Sequence, residues 1–152
     1  MPTSEAHIIG SDKYLASLNA QREKLKTRIA NTMKRQMFML AEFIRANKLS
    51  GQVLNRRSGD LSRATTGQVL EENNSKVVGA VGTYGIPYAP VHEFGWVGER
   101  TVAQAFGRPI IPKDVTFHYP ERSFIRSSVS EKKDAVVESF RALAGEMQRG
   151  RA

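Results

Sequence analysis

The sequence predicts an α+β fold, with a small antiparallel sheet flanked by a long N-terminal helix and a C-terminal helix. Three observations carry this. Leu25, Ile29, Met33, Met37, Leu40 and Ile44 recur at steps of four and three, one stripe of a 3.6-residue helix. Gln68 to Glu71 and Lys76 to Thr83 are short and β-prone, separated by the turn-forming Glu72-Asn73-Asn74-Ser75. Phe124, Val129, Val136, Phe140, Leu143 and Met147 mark one face of a second long helix.

Taken in order, residues 1–11 lack periodicity and are expected to form a flexible arm. They show neither a basic n-region nor an apolar h-region, so no secretory signal is expected. Residues 12–150 are expected to form one domain, which suits the chain's length. Ser11 or Asp12 caps a helix that runs to about Asn47, roughly 50 Å at 1.5 Å per residue. That exceeds the needs of a small domain, so its N-terminal half is expected to project. Phe38, Met39 and Phe43 widen the apolar face and place the core contact in the C-terminal half. Ser58-Gly59-Asp60-Leu61 reads as a cap and a short helical turn with Leu61 inward. Val97 to Pro112 is expected to be irregular, because Gly98, Gly107, Pro109 and Pro112 interrupt it. Val115 to Tyr119 alternates and predicts a third strand. The last helix is expected to begin within Pro120 to Ile125 and to stop at Gly150, with Phe124 and Phe140 buried against the sheet.

Between the strands and the irregular arm lies Ile86 to Trp96. Pro87 and Pro90 bar a long regular element there, and Gly95 ends the short run Val91-His92-Glu93-Phe94. Tyr88, Phe94 and the only tryptophan, Trp96, fall within nine residues. A loop so rich in aromatics is either pinned to a core or offered to a partner.

The formal charge of +8 is uneven. Residues 1–50 carry nine Lys/Arg against four acids, a net of +5, residues 51–100 balance at five and five, and residues 101–152 carry nine against six, a net of +3. Arg22, Lys26, Arg28, Lys34 and Arg35 of the first helix, with Arg56 and Arg57 after it, form the candidate basic surface. Such a surface suits an acidic protein neighbour or nucleic acid, and is equally the solvated face of a long helix.

No catalytic set is legible. His92-Glu93 is not a zinc helix, because Trp96 stands where the second histidine of H-E-x-x-H belongs. Gly79, Gly82 and Gly85 lack the Lys and hydroxyl of a phosphate loop, and no serine has G-x-S-x-G context. Glu71 and Glu72 would face opposite sides of a strand. With no cysteine there is no disulfide and no thiolate metal site, which fits a reducing cytoplasm. No enzyme, metal or cofactor is expected, and no apolar run is long enough to span a membrane.

Three stretches occur in one order: Arg57-Ser58-Gly59-Asp60-Leu61, Tyr88-Ala89-Pro90-Val91-His92-Glu93-Phe94-Gly95, and Pro120-Glu121-Arg122-Ser123-Phe124-Ile125. In this the chain, over about residues 15–148, resembles the head–tail connection proteins of tailed bacteriophages, the neck, tail-completion, virion-morphogenesis or minor tail group. One departure is Ser123, where that group usually has proline, which leaves the helix start less rigid. The resemblance implies a structural virion protein at the head–tail junction, assembled in the host cytoplasm. It implies a homo-oligomeric ring, six-fold first and twelve-fold as the alternative. It further implies connector, stopper and tail-terminator proteins as neighbours, and double-stranded DNA passing through without being read. Tyr88, His92, Glu93, Phe94, Trp96, Arg122 and Phe124 are the candidate interface residues. The competing reading, from the charge of residues 1–50, is a cytoplasmic nucleic-acid-binding protein without sequence preference. It lacks aromatics interleaved with the charge and any named nucleic-acid motif.

Overall fold

The computed structural model describes residues 11–51, 53–54 and 58–149. The arm at 1–10, Arg56, Arg57 and the stop at Gly150 lie outside the described residues. The architecture is α+β: a long helix, two small antiparallel two-stranded sheets and a C-terminal helix. Helix α1 (Ser11–Asn47) leads to α2 (Asp60–Ala64), then strands β1 (Thr65–Glu72) and β2 (Val77–Thr83). The one-and-a-half-turn helix α3 (Ala89–Phe94) follows, then β3 (Trp96–Ala105), β4 (Arg108–Tyr119) and α4 (Ile125–Arg149).

Burial along α1 rises from one end to the other. Residues 12–24 are all exposed, Leu25, Ile29 and Met33 are half-buried, and Met37, Leu40 and Ile44 are buried. The predicted stripe is therefore the core stripe, and the N-terminal third lies free of the body. The β1–β2 hairpin packs on one side of this helix. Its turn is held by Asn73, whose Oδ1 accepts from the backbone N–H groups of Ser75 and Lys76 at 2.9 Å each. Two glycines set how closely helix and sheet meet. A Cβ at Gly67 would fall on the Met37 carbonyl, and one at Gly79 would lie 2.6 Å from Met33 Sδ. The helix thus rests directly on the sheet backbone.

Helix α4 lies antiparallel along the other side of α1. Arg28 Nη2 meets Glu146 Oε2 at 2.5 Å, Gln36 Nε2 donates to Ser139 Oγ at 2.9 Å, and Lys48 Nζ donates to Glu131 Oε2 at 2.9 Å. As α1 numbers rise, α4 numbers fall. Phe124, fully buried, joins Met37, Leu40, Ile44, Leu49 and Leu54 in the core, with Leu61, Val81 and Ile125 packed against them. Phe124 therefore plugs the end of α1 and the loop after it, where the sequence suggested burial against the sheet. Phe140 is only half-buried and Val129 is exposed. Phe38 and Met39, expected to widen the core face, are 61% and 51% exposed. Helix α1 is covered on two sides only, by sheet and by α4, and Phe38 and Met39 lie in the sector left between.

Residues 96–119 are not irregular but a β-hairpin in which the predicted strand Val115–Tyr119 is the final part of β4. The breakers fit the hairpin. Gly107 (φ 76°) sits in the turn, and Trp96 lies over Gly98, where a Cβ would strike its ring. Pro109 borders a bulge in which Ile110, Ile111 and Pro112 stand opposite Ala103 alone, between the pairs Val102–Lys113 and Gln104–Pro109. A two-stranded ribbon has open edges on both sides, so proline there loses little.

Two substitutions probe this packing. Phe124→Ala is expected to lower stability by about 3–5 kcal/mol and Phe140→Ala by clearly less, read by denaturant unfolding. Gly67→Ala should cost about 1–3 kcal/mol and exceed Gly79→Ala, because a carbonyl cannot yield as a methionine side chain can. Equal effects at the two glycines would contradict the close helix–sheet contact.

Candidate functional site

The three sequence stretches that carry the resemblance converge in space. Ser58, Gly59, Asp60 and Leu61 from the α2 turn, Tyr88 just before α3 and His92 within it, and Arg122 before α4 line one cleft of about 500 Å³ together with Leu49 and Leu54. Each element reaches it for a local reason. Gly59 takes a left-handed φ of 81° that turns the chain into α2. Ser58 Oγ donates to Asp60 Oδ2 at 2.5 Å, and this bond, with the Arg63 guanidinium after it, holds the Asp60 carboxyl below its usual range. Pro90 occupies the first turn of α3, where its missing N–H is not needed, and Gly95 (φ 72°) ends it.

Glu93 joins these pieces. It is 4% exposed, and its carboxylate accepts the first free N–H groups of α4: Phe124 at 2.8 Å, Ile125 at 2.9 Å and Arg126 at 2.9 Å. Ser123 Oγ donates to the same carboxylate at 2.8 Å, and Arg126 Nε does so at 3.2 Å. Burial alone would raise the Glu93 pKa. The N–H donors of Ile125, Arg126 and Phe124 and the Ser123 hydroxyl outweigh it and hold the carboxyl below the ordinary glutamate range. Around it, Arg122 N–H donates to the His92 carbonyl at 2.8 Å, and Arg126 Nη2 bridges the Glu93 carbonyl at 3.0 Å and Glu121 Oε1 at 2.6 Å.

The candidate interface residues therefore divide. Glu93 and Phe124 face inward, one as a helix cap and one as a core plug, so their work lies inside the chain's own fold. Ser123 in place of proline does not loosen the helix start; its hydroxyl adds a bond that proline could not make. Tyr88 stands edge-on to His92 with centroids 5.8 Å apart, and both lie on the cleft with Arg122. Burial, and then the nearby Arg122 charge, lower the His92 pKa. Phe94 is exposed beneath the Arg126 guanidinium, 4.7 Å from ring centroid to Cζ. Trp96, 38% exposed, pairs across strands with Tyr119 at 6.0 Å. No local pattern signals that Glu93 and Ser123 meet; the pairing of a lone acid with a helix start thirty residues on is visible only in the fold.

The basic surface is partly engaged. Arg28 pairs with Glu146, Lys34 with Glu72 at 3.6 Å, and Lys26 donates to Asn74 at 3.3 Å. Arg22 and Arg35 make no ion pair among the described residues. Among the same residues no cluster of His, Asp and Glu could hold a metal, and no helix is long and apolar enough to cross a membrane. Comparison with protein-family models, curated proteins and solved structures finds no match.

Glu93→Gln keeps the shape and removes the charge. It is expected to cost about 2–3 kcal/mol, the scale of hydrogen bonds to a charged group. Because the folded pKa is depressed, the wild-type contribution is full above the ordinary glutamate value of ~4.3 and is lost as pH falls from there through the folded value. Unfolding curves between neutral and acid pH should therefore converge for the two proteins at the acid end. A constant gap would show that the carboxylate is not the cap.

Proposed function

We propose that this chain is a structural virion protein of a tailed phage, forming a ring at the head–tail junction and helping to join the tail to the DNA-filled head. The observation that carries the reading is the convergence of Ser58–Leu61, Tyr88–Glu93 and Arg122–Phe124. Stretches that resemble the neck and tail-completion group in order and spacing also form one physical unit, a capped helix start and its cleft. A second support is surface. Tyr14, Leu15 and Leu18 on the free end of α1, and Val97, Phe106, Ile110 and Ile111 on the hairpin, are large apolar side chains left in water. Large apolar side chains exposed in such number support a reading in which these elements meet neighbours. In this reading the neighbours are copies of the chain, connector or stopper and tail-terminator rings, and DNA in the channel. Arg22 and Arg35 supply diffuse charge toward acidic neighbours or phosphates.

The nucleic-acid alternative is weaker, because Arg28 and Lys34 are drawn into ion pairs within the chain. Two measurements separate the readings. Light scattering with negative-stain imaging of the purified chain should give a closed ring. Titration of two unrelated duplexes across about 50–200 mM salt should give equal, weak binding that fades with salt, as counterion release requires. A monomer that binds both duplexes tightly, even at the high-salt end, would replace the ring reading with the nucleic-acid-binding one.

A further inference from the structure

Strands β3 and β4 form a ribbon whose main contact is internal, each strand with the other. Its two faces differ in charge. Partners across strands share a face, and successive residues alternate between faces. Along the unbroken register from Trp96–Tyr119 to Val102–Lys113, Trp96 and Arg100 therefore share one face with Lys113, Phe117 and Tyr119. Glu99 and Asp114, the only acids in that register, fall on the other, where Asp114 Oδ1 accepts from Thr101 Oγ1 at 2.6 Å. The first face is thus basic with no acid beside it. Aromatic and basic side chains interleave there, a pattern that residues 22–35 of α1 lack.

Arg100 and Lys113 are exposed and make no ion pair among the described residues. They are diagonal neighbours across the ribbon, about 7–8 Å apart at the backbone. Two like charges so placed repel each other, and an anion lying over both relieves that repulsion. Next to them opens a shallow hollow of about 460 Å³, lined by Arg100, Val102, Gln104 and Phe117. The rings are already engaged. Trp96 lies over Gly98 and against Tyr119 at 6.0 Å, and Phe117 stands nearly parallel to Tyr119 at 6.4 Å. They form a firm bed more than free platforms for stacking unpaired bases. What the face holds out is cationic, which fits phosphate oxygens. Protein–protein interface cores are depleted in lysine, whereas protein–DNA interfaces are strongly cationic.

We infer that this face of the β3–β4 ribbon lies on the phosphate backbone of duplex DNA, with Arg100 and Lys113 each meeting a phosphate and no base being read. The contact deepens the proposed function by naming the surface that meets the DNA, and it rests on that reading only for the duplex being within reach. Two phosphates per chain are few, which agrees with weak binding that fades with salt. A ring repeats the pair in every subunit, so weak contacts add around the channel while no single copy grips the duplex.

Trp96 is the only tryptophan of the chain and lies on this face, so its fluorescence reports the contact directly. A short duplex added at about 50 mM salt should change Trp96 emission, and the change should fade toward about 200 mM. Arg100→Gln combined with Lys113→Gln should flatten the dependence of log affinity on log salt by about 1.8, two phosphates at ~0.9 each. Lys13→Gln combined with Lys133→Gln removes the same charge from exposed sites away from the ribbon and should leave that slope unchanged. An emission that ignores the duplex, or equal flattening in the two double variants, would overturn the contact. A larger response to polyglutamate than to duplex would give the face to an acidic protein, and tighter binding of oligothymidylate than of duplex would give it to single strands; either result removes the proposal. If the wild type closes rings while Trp96 ignores the duplex, the ring stands and the ribbon contact falls. If Trp96 responds in a chain that stays monomeric, the ribbon contact stands and the ring reading falls.

Discussion

One buried carboxylate holds the second half of this protein to the first. Helix α4 begins with N–H groups that have no partner within the helix, and Glu93 takes three of them together with the Ser123 hydroxyl. A negative charge at that end also meets the positive pole of a 25-residue helix. Because Glu93 sits on α3, the same bonds fix the aromatic loop against the start of α4. They set Phe124 over the core of Met37, Leu40 and Ile44, and they bring Arg122 to the cleft opposite Ser58 and Asp60. The desolvation of the carboxylate is tolerated because three backbone N–H groups and the Ser123 hydroxyl donate to it at 2.8–2.9 Å.

Around that clamp, α1 is the common surface. On its sheet side the contact is close, made possible by Gly67 and Gly79. On its α4 side the contact is longer and more polar, with Arg28, Gln36 and Lys48 matched to Glu146, Ser139 and Glu131. Arg45 ties the corner, donating to the carbonyls of Ser62 and Thr65 where α2 passes into β1. Two partners cannot cover a cylinder, and the uncovered sector of α1 carries Phe38 and Met39.

The fold class, α1, the β1–β2 hairpin, the Leu61 turn and α4 were legible because each rests on local pattern: apolar period, turn chemistry, stop residues. What escaped needed knowledge of neighbours. Pro109 and Pro112 argue against a strand only if both edges are hydrogen-bonded, and β4 has one partner. Phe38 and Met39 widen the apolar face of α1 and Val129 fits the period of α4, yet apolar pattern alone does not say which angular sector meets another element. The candidate site was half legible. Tyr88, His92 and Arg122 do share a cleft, and Phe124 is buried as its place on the apolar face of α4 suggests, but Glu93 resembles a surface-facing motif residue until the helix start that it serves is in view.

The polar ladder along α1 and α4 has a directional consequence. Helix α4 is fastened at its first turn by buried bonds and by Phe124, whereas toward Arg149 it is held by Leu143 and by exposed pairs such as Arg28–Glu146, which salt screens. A helix secured at one end opens from the other. Amide hydrogens near Glu146 should exchange with solvent through small local openings, and those near Ser128 only when the whole domain unfolds. Ionic strength would then move the boundary between the two regimes along α4 without touching the clamp at its start, so the last turns form an adjustable margin on an otherwise fixed body.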